Sequence, residues 1–381
     1  GHASTYARAA VGMDGVYRFT SLPSAESAFL VWVPADGDDA HLPGGSRCRT
    51  ALSRASLVGA RIDFKVSGAP SSRASYVGST ACLNCHGRHR IERSAHFNGL
   101  QVTGARGPLQ DTSAWPRFDG ALAAFDAGRT LYYADCDGAA TSSLKCRVTE
   151  REPAAPAVVS FELRLRHDTS VSRGAEGEYT ATFFNRRRAE APVTYAVTLT
   201  YGGALGRQQF LTRVRNANGT STHYVLPLQW NAEGNDTNEN PDSWMWRDDG
   251  ADRWYDLSAA VLLRPRTEAN FDANCLGCHA TGARLTGSAL DGWNGHAVGD
   301  SNGEYDFDGD GRRESINLGC ESCHGPGSEH LEAAVRGARI VSPSALTPER
   351  EVTLCGACHS RPVGLGGGGT QSPLDPAGRM P

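Results

Sequence analysis

A chain of 381 residues has room for two or three domains, yet only 39% of it is apolar and 44 residues are glycine, so side chains alone leave the interior short of material. A formal net charge of −4 and a pI near 6.3 exclude the basic stripe of a nucleic-acid binder and a strong field toward membranes. No apolar run approaches 18 residues, which excludes a helical membrane span.

Residues 1–70 read as a β-sandwich-like module. Tyr17 and Phe19, the run Phe29-Leu30-Val31-Trp32-Val33, and the alternating Ile62, Phe64 and Val66 are separated by glycine and proline punctuation. The phrase Asp14-Gly15-Val16-Tyr17-Arg18-Phe19 with Leu22-Pro23 resembles carboxypeptidase-regulatory-like modules, which implies surface contacts and no chemistry of its own. Ser67 to Ser72 reads as a linker.

The pentapeptide Cys82-Leu83-Asn84-Cys85-His86 then opens a domain expected over 75–381. It returns as Cys275-Leu276-Gly277-Cys278-His279, Cys320-Glu321-Ser322-Cys323-His324 and Cys355-Gly356-Ala357-Cys358-His359. Two thiols at this spacing form thioethers to the vinyl groups of one haem, and the imidazole that follows reaches its iron. Four copies predict four covalent haems c, and porphyrin plates would fill an interior that side chains do not.

A long gap separates the first motif from the second, and it must hold an insertion. Alternating runs at Val159 to Leu165, Val193 to Tyr201 and Tyr224 to Trp230 predict an antiparallel β region at about 150–265. Trp230, Trp244, Trp246 and Trp254 near its end read as aromatic core or as a lid on haem edges. The expected fold class is therefore a multihaem cytochrome with little regular structure, short helices and loops around four haems, joined by the N-terminal module and the inserted sheet.

Eight of the 11 cysteines go to haem. Cys136 and Cys146 flank a turn-rich stretch and are expected to form a disulfide; Cys48 is left over, either buried and free or paired with another chain. Haem attachment and disulfides place the protein in a periplasm or outside the cell, with a signal peptide removed before Gly1 or lying outside this chain.

His86, His279, His324 and His359 are the proximal ligands. With three methionines against eight further histidines, bis-His irons of low potential are expected. Tyr76 to Ala81 before motif one, Ser94-Ala95-His96, and above all the stretch Gly319 to His330 resemble the tetrahaem cytochromes typified by the electron acceptor of hydroxylamine oxidoreductase. Val225 to Trp230 is similar to their larger, extracellular filament-type relatives. The resemblance covers roughly residues 75 to 363. It implies that His96 ligates the haem of His359, His296 that of His86, and His330 that of His279 or His324. No histidine follows His359, where the small prototype has one, so the fourth distal position falls to His223, His2 or His41, to another subunit, or stays open. For His223 the alternative is a hydrogen-bonded sheet histidine. His89 and His167 read as solvated.

Asp306, Asp308, Asp310, Arg312 and Glu314 lie in a loop with aspartates at positions 1, 3 and 5 and glycine at 6, the pattern of an EF-hand calcium loop, with Asn317 at the twelfth place in place of glutamate. Calcium binding and a merely acidic turn are both open readings. The expected function is extracytoplasmic electron transfer along four closely packed bis-His haems, with redox proteins or further copies of the chain as partners, in a homo-oligomer or extracellular filament. The alternatives are a reductase of nitrogen oxides or hydroxylamine with one open haem, and a soluble periplasmic carrier.

Overall fold

The computed structural model of the chain describes residues 9–11, 16–19, 27–28, 31–42, 44–45, 52–53, 66–103, 119–137, 145–173, 175–202, 207–231, 246–333 and 337–359. The chain divides into two units: Gly1–Ala74 with Gly327–Cys355, and Ser75–Pro326 with Gly356–Pro381. Cys48, His2 and Trp244 lie outside the described residues.

In the first unit, short antiparallel pairs join Ser27–Ala28 to Leu52–Ser53, Val31–Trp32 to Gly44–Gly45 and His41–Leu42 to Ser67–Gly68. The N-terminal stretch shares this unit with 327–355. Glu329 accepts the Ser71 backbone N–H at 2.8 Å and its hydroxyl at 2.5 Å, and Ser67 Oγ accepts the Ser342 N–H at 2.9 Å. Gly68 sits so close to this second segment that a Cβ would lie 2.8 Å from Arg339 N.

Two five-stranded antiparallel sheets dominate the second unit. One runs in the order Val193–Ala196, Tyr179–Asn185, Val159–His167, Thr130–Asp137, Lys145–Thr149; the other in the order Trp246–Asp248, Ser221–Asn231, Arg207–Arg215, Leu199–Tyr201, Leu100–Val102. They pack face to face over a core that includes Leu131, Phe161, Leu163 and Phe183 from the first sheet and Phe210, Leu226, Leu228 and Trp230 from the second. The Tyr133 hydroxyl donates to Pro227 O at 2.6 Å across this core, and the Trp254 indole to Val225 O at 3.0 Å. Cys136 and Cys146 form the expected disulfide between two strands of the first sheet.

Strand alternation gives the second sheet two buried faces. Phe210, Leu226 and Leu228 point into the sandwich, while Leu199, Leu211 and Val225 belong to a second cluster with Phe271, Leu276, Phe307 and Ile316 around motif two. The tryptophans Trp230, Trp246 and Trp254 are core residues of the sandwich.

The fold class expected from the sequence is corrected by this architecture. Sheet dominates the described residues, helices are short, and the longest, Pro348–His359, has 12 residues. Multihaem cytochromes are rich in helix and loop with little sheet, and this chain is not built that way. The physical reason lies in the gap between motifs one and two, where alternating runs as long as the 11-residue Ser221–Asn231 find partners on both sides and recruit Leu100–Val102 from just beyond motif one. The sheet region is thus wider than the insertion read from the sequence.

Candidate functional site

Each attachment motif lies on a short helix: the first on Ser79–His86, the second spanning Cys275 and Leu276–His279, the third Cys320 and Glu321–His324, the fourth on Pro348–His359. One helical turn puts the two cysteines and the histidine of a motif on neighbouring positions. None of these eight cysteines is in a disulfide.

Polar side chains lace the first three motifs together. Glu321, inside the third motif and 2% exposed, accepts the backbone N–H groups of Val77 at 3.0 Å and Gly78 at 2.9 Å, just ahead of motif one. Asp300 accepts the Thr80 N–H at 3.1 Å. Thr281, two residues after His279, donates its hydroxyl to Asn317 O at 2.8 Å and accepts the Gly319 N–H at 2.7 Å. Gly319 packs closely here: a Cβ would meet Ser79 Oγ and force that hydroxyl to turn away.

This lacing brings thiols of different motifs side by side. Interaction between the Cys82 and Cys320 thiols holds that of Cys320 down at about 6 and pushes that of Cys82 up. Cys278 pairs with Cys358 in the same way, Cys278 shifting down and Cys358 up. Motif one thus adjoins motif three, and motif two adjoins motif four.

The histidines sort into three kinds. His96 faces His359 with ring centroids 6.0 Å apart and planes at 86°, the spacing of about 6 Å that two imidazoles sharing one metal at about 2 Å per bond would take. His279 is flanked by Tyr201 at 5.4 Å and Phe271 at 6.0 Å, and desolvation holds its pKa at about 4, which keeps the ring neutral and its lone pair free for a metal. His296 ends the strand Gly292–His296, its Nδ1 2.5 Å from Asp308 and its Nε2 2.8 Å from the Thr286 hydroxyl. A carboxylate on the far ring nitrogen is the usual companion of a metal-bound histidine. His330 belongs to the other unit, where Nδ1 hydrogen-bonds to Ala338 O at 2.9 Å.

His223 is fully buried, its Nδ1 3.0 Å from Asp272 and its Nε2 3.1 Å from the Tyr305 hydroxyl. It is the hydrogen-bonded sheet histidine that stood as the alternative to an iron ligand, whereas His296, with a comparable pair of partners, keeps some exposed surface. The same alternation that aims Leu226 and Leu228 into the sandwich aims His223 at the helix Phe271–Asn274. His167 is likewise more than solvated: it pairs with Asp126 at 2.6 Å and stacks on Tyr179 at 4.4 Å. His41 pairs with Asp38 at 2.9 Å, and His89 lies 5.7 Å from His86, ring to ring.

Asp306, Asp308, Asp310 and Glu314 bring one carboxylate oxygen each within 4.8 Å of one another. Gly309 and Gly311, at φ 81° and 88°, turn the loop that converges them. Glu314 is 4% exposed, and burial followed by the three aspartates pushes its carboxyl up to about 7. Arg312 donates its backbone N–H to Asp310 at 2.7 Å, and Asn317 is engaged elsewhere, its Oδ1 accepting the Leu100 N–H at 2.7 Å.

The motifs announce themselves in the sequence, whereas Glu321, Asp300, Thr281 and Asp272 do not. The one signal for Glu321 is a charged residue set between the two cysteines of a motif. No helix among the described residues is long and apolar enough to cross a membrane. Comparison with protein-family models, with curated proteins and with solved structures finds no match to this chain.

Proposed function

We propose that this is an electron-transfer protein carrying four covalently attached c-type haems. The observation that carries the reading is the ring-to-ring meeting of His96 and His359, far apart in sequence, beside the thiols of motif four. The donor set fits the group: each motif offers two thiols outside any disulfide, and the imidazole follows within one turn of helix. A haem so held supplies one-electron exchange at its iron.

Cys82 and Cys85, Cys275 and Cys278, Cys320 and Cys323, and Cys355 and Cys358 anchor the four groups; His86, His279, His324 and His359 hold the irons. His96 and His296 take distal positions, and His330 is assigned the same role. Adjacent thiols at motifs one and three, and at two and four, support closely spaced haem pairs, so that electrons pass between neighbours. Eight further histidines for four distal positions favour this over a reductase, which keeps one position open. With His223 fully buried against Asp272, the last distal ligand comes from an N-terminal histidine or from another copy of the chain, which suits a homo-oligomer or filament. The disulfide between Cys136 and Cys146 supports an extracytoplasmic location.

Intact mass measurement should show four haem additions; fewer would end the tetrahaem reading. In His96→Ala, one low-spin iron should become high-spin and bind carbon monoxide. A spectrum identical to the parent's would remove His96 from the ligands. For the acidic loop we propose calcium, favoured by the convergence of four carboxylates. Chelator should lower the melting temperature and calcium restore it; no shift either way would return the loop to a plain acidic turn.

A further inference from the structure

Asp272 lies on the helix Phe271–Asn274, three residues before Cys275, with no exposed surface. Its Oδ1 accepts His223 Nδ1 at 3.0 Å. Its Oδ2 accepts two backbone N–H groups, from His223 at 3.2 Å and Gly295 at 3.1 Å. One carboxylate therefore ties the attachment helix of motif two to the strand Ser221–Asn231 and to the strand that carries His296. The clamp is tight: a Cβ on Gly295 would lie 3.0 Å from Asp272 Cγ and 2.6 Å from Leu276.

Positioning alone does not call for a charge. An apolar contact of the same volume would hold these elements at lower cost, because taking a carboxylate out of water is expensive even when it is paired. A fixed charge in a low-dielectric setting does have a long reach, and the haem that motif two would hold is attached from three residues further along the chain. Two more charges act on the Cys275 thiol. Burial first and then Asp249, half-buried and hydrogen-bonded by Gln209, push it up, and Arg253 pulls it down. Tyr201, paired in register with Gln209, packs on the ring of His279.

We propose that Asp272 is a positioning residue that also sets the reduction potential of the haem on Cys275, Cys278 and His279, with Asp249 reinforcing it and Arg253 opposing it. The inference rests on the four-haem reading. A negative charge beside the iron stabilises the ferric over the ferrous state and lowers the potential; a positive charge raises it. Asp272→Asn keeps the shape and an oxygen acceptor for the backbone N–H groups while removing the charge.

The test is a spectroelectrochemical titration of the full-length, haem-loaded protein after its haem count has been fixed by mass. In Asp272→Asn and in Asp249→Asn, one and the same midpoint potential of the four should rise while the other three stay in place. In Arg253→Gln that potential should fall, and the Asp272→Asn/Arg253→Gln double variant should move back toward the parent. If Asp272→Asn does not assemble, the opposed signs of Asp249→Asn and Arg253→Gln carry the test. Four-haem variants with unmoved potentials, or a shift of the same sign in Asp249→Asn and Arg253→Gln, would overturn the assignment. A parent protein lacking haem would instead overturn the reading beneath it.

Discussion

The sandwich and the motif-bearing segments of the second unit solve the same problem with different materials. Between the sheets, Tyr133, Phe161, Phe183 and Trp254 form a run of stacked rings with centroids 4.3 to 5.9 Å apart, an interior closed by side chains alone. The motif helices bury almost nothing apolar: Ser79 on the first, Glu321 on the third, Ala357 on the fourth. They are stitched along their backbones by Glu321, Asp300, Asn317 and Thr281 instead. Only motif two has an apolar bed, of Leu276, Phe271 and Phe307, because the back of the second sheet supplies it. On the four-haem proposal, polar stitching around an apolar deficit is what these segments would need, because porphyrin would supply the core.

The strongest way to break this comparison is to withhold haem. With Cys320 and Cys323 replaced by alanine, the sandwich should keep its sheet signal by circular dichroism, while limited proteolysis cuts the segments around motifs one and three. Equal protection throughout would mean that those segments have a side-chain core after all. Next in size is His223→Ala, which leaves the Asp272 carboxylate buried without its imidazole and should cost about 3–5 kcal/mol in denaturant unfolding. Its haem spectrum should stay low-spin; a new high-spin iron would restore His223 as a ligand.

Glu321→Ala removes the acceptor for two backbone N–H groups ahead of motif one and should cost about 3 kcal/mol, with Glu321→Gln milder. The smallest effect belongs to the sandwich. Burial pushes the Asp248 carboxyl up to about 7 from an ordinary 3.8. The folded state thus keeps a proton that the unfolded chain has released, so this contribution to stability is full below pH 3.8 and is lost as the pH rises toward 7. Asp248→Asn mimics the protonated form, so it should change stability little at low pH and flatten the slope of the urea midpoint over that window. An unchanged slope would place the titration elsewhere.

The positions that make up the candidate site were more legible in the sequence than its scaffold. Four cysteine pairs with histidines carry their meaning in spacing alone, and strand alternation around Val159 and Tyr224 announced antiparallel pairing. Alternation also held the answer for His223, which shares its parity with Val225 and not with Leu226, but an imidazole at an inward position is equally suited to iron and to a carboxylate until its neighbour is known. Asp272, 49 residues further along, is that neighbour, and nothing local marks it. The fold class was misjudged for a related reason: haem motifs occupy few residues, and the long stretch between the first two had the strand length to decide the architecture. The aspartate loop was readable up to Glu314, whereas Asn317 turned out to serve the Leu100 backbone.

The thiol neighbours Cys82 and Cys320 stand at opposite ends of the sandwich in sequence. The nook at motif one is therefore completed only by chain that lies beyond every sheet strand, a closure of high contact order and correspondingly slow formation. On the four-haem proposal, Cys82 and Cys85 would until then stay open to whatever enzyme delivers haem, and the late arrival of Cys320 would shut that window. Loading at motif one would in this way be timed by topology, ahead of the step that seals it.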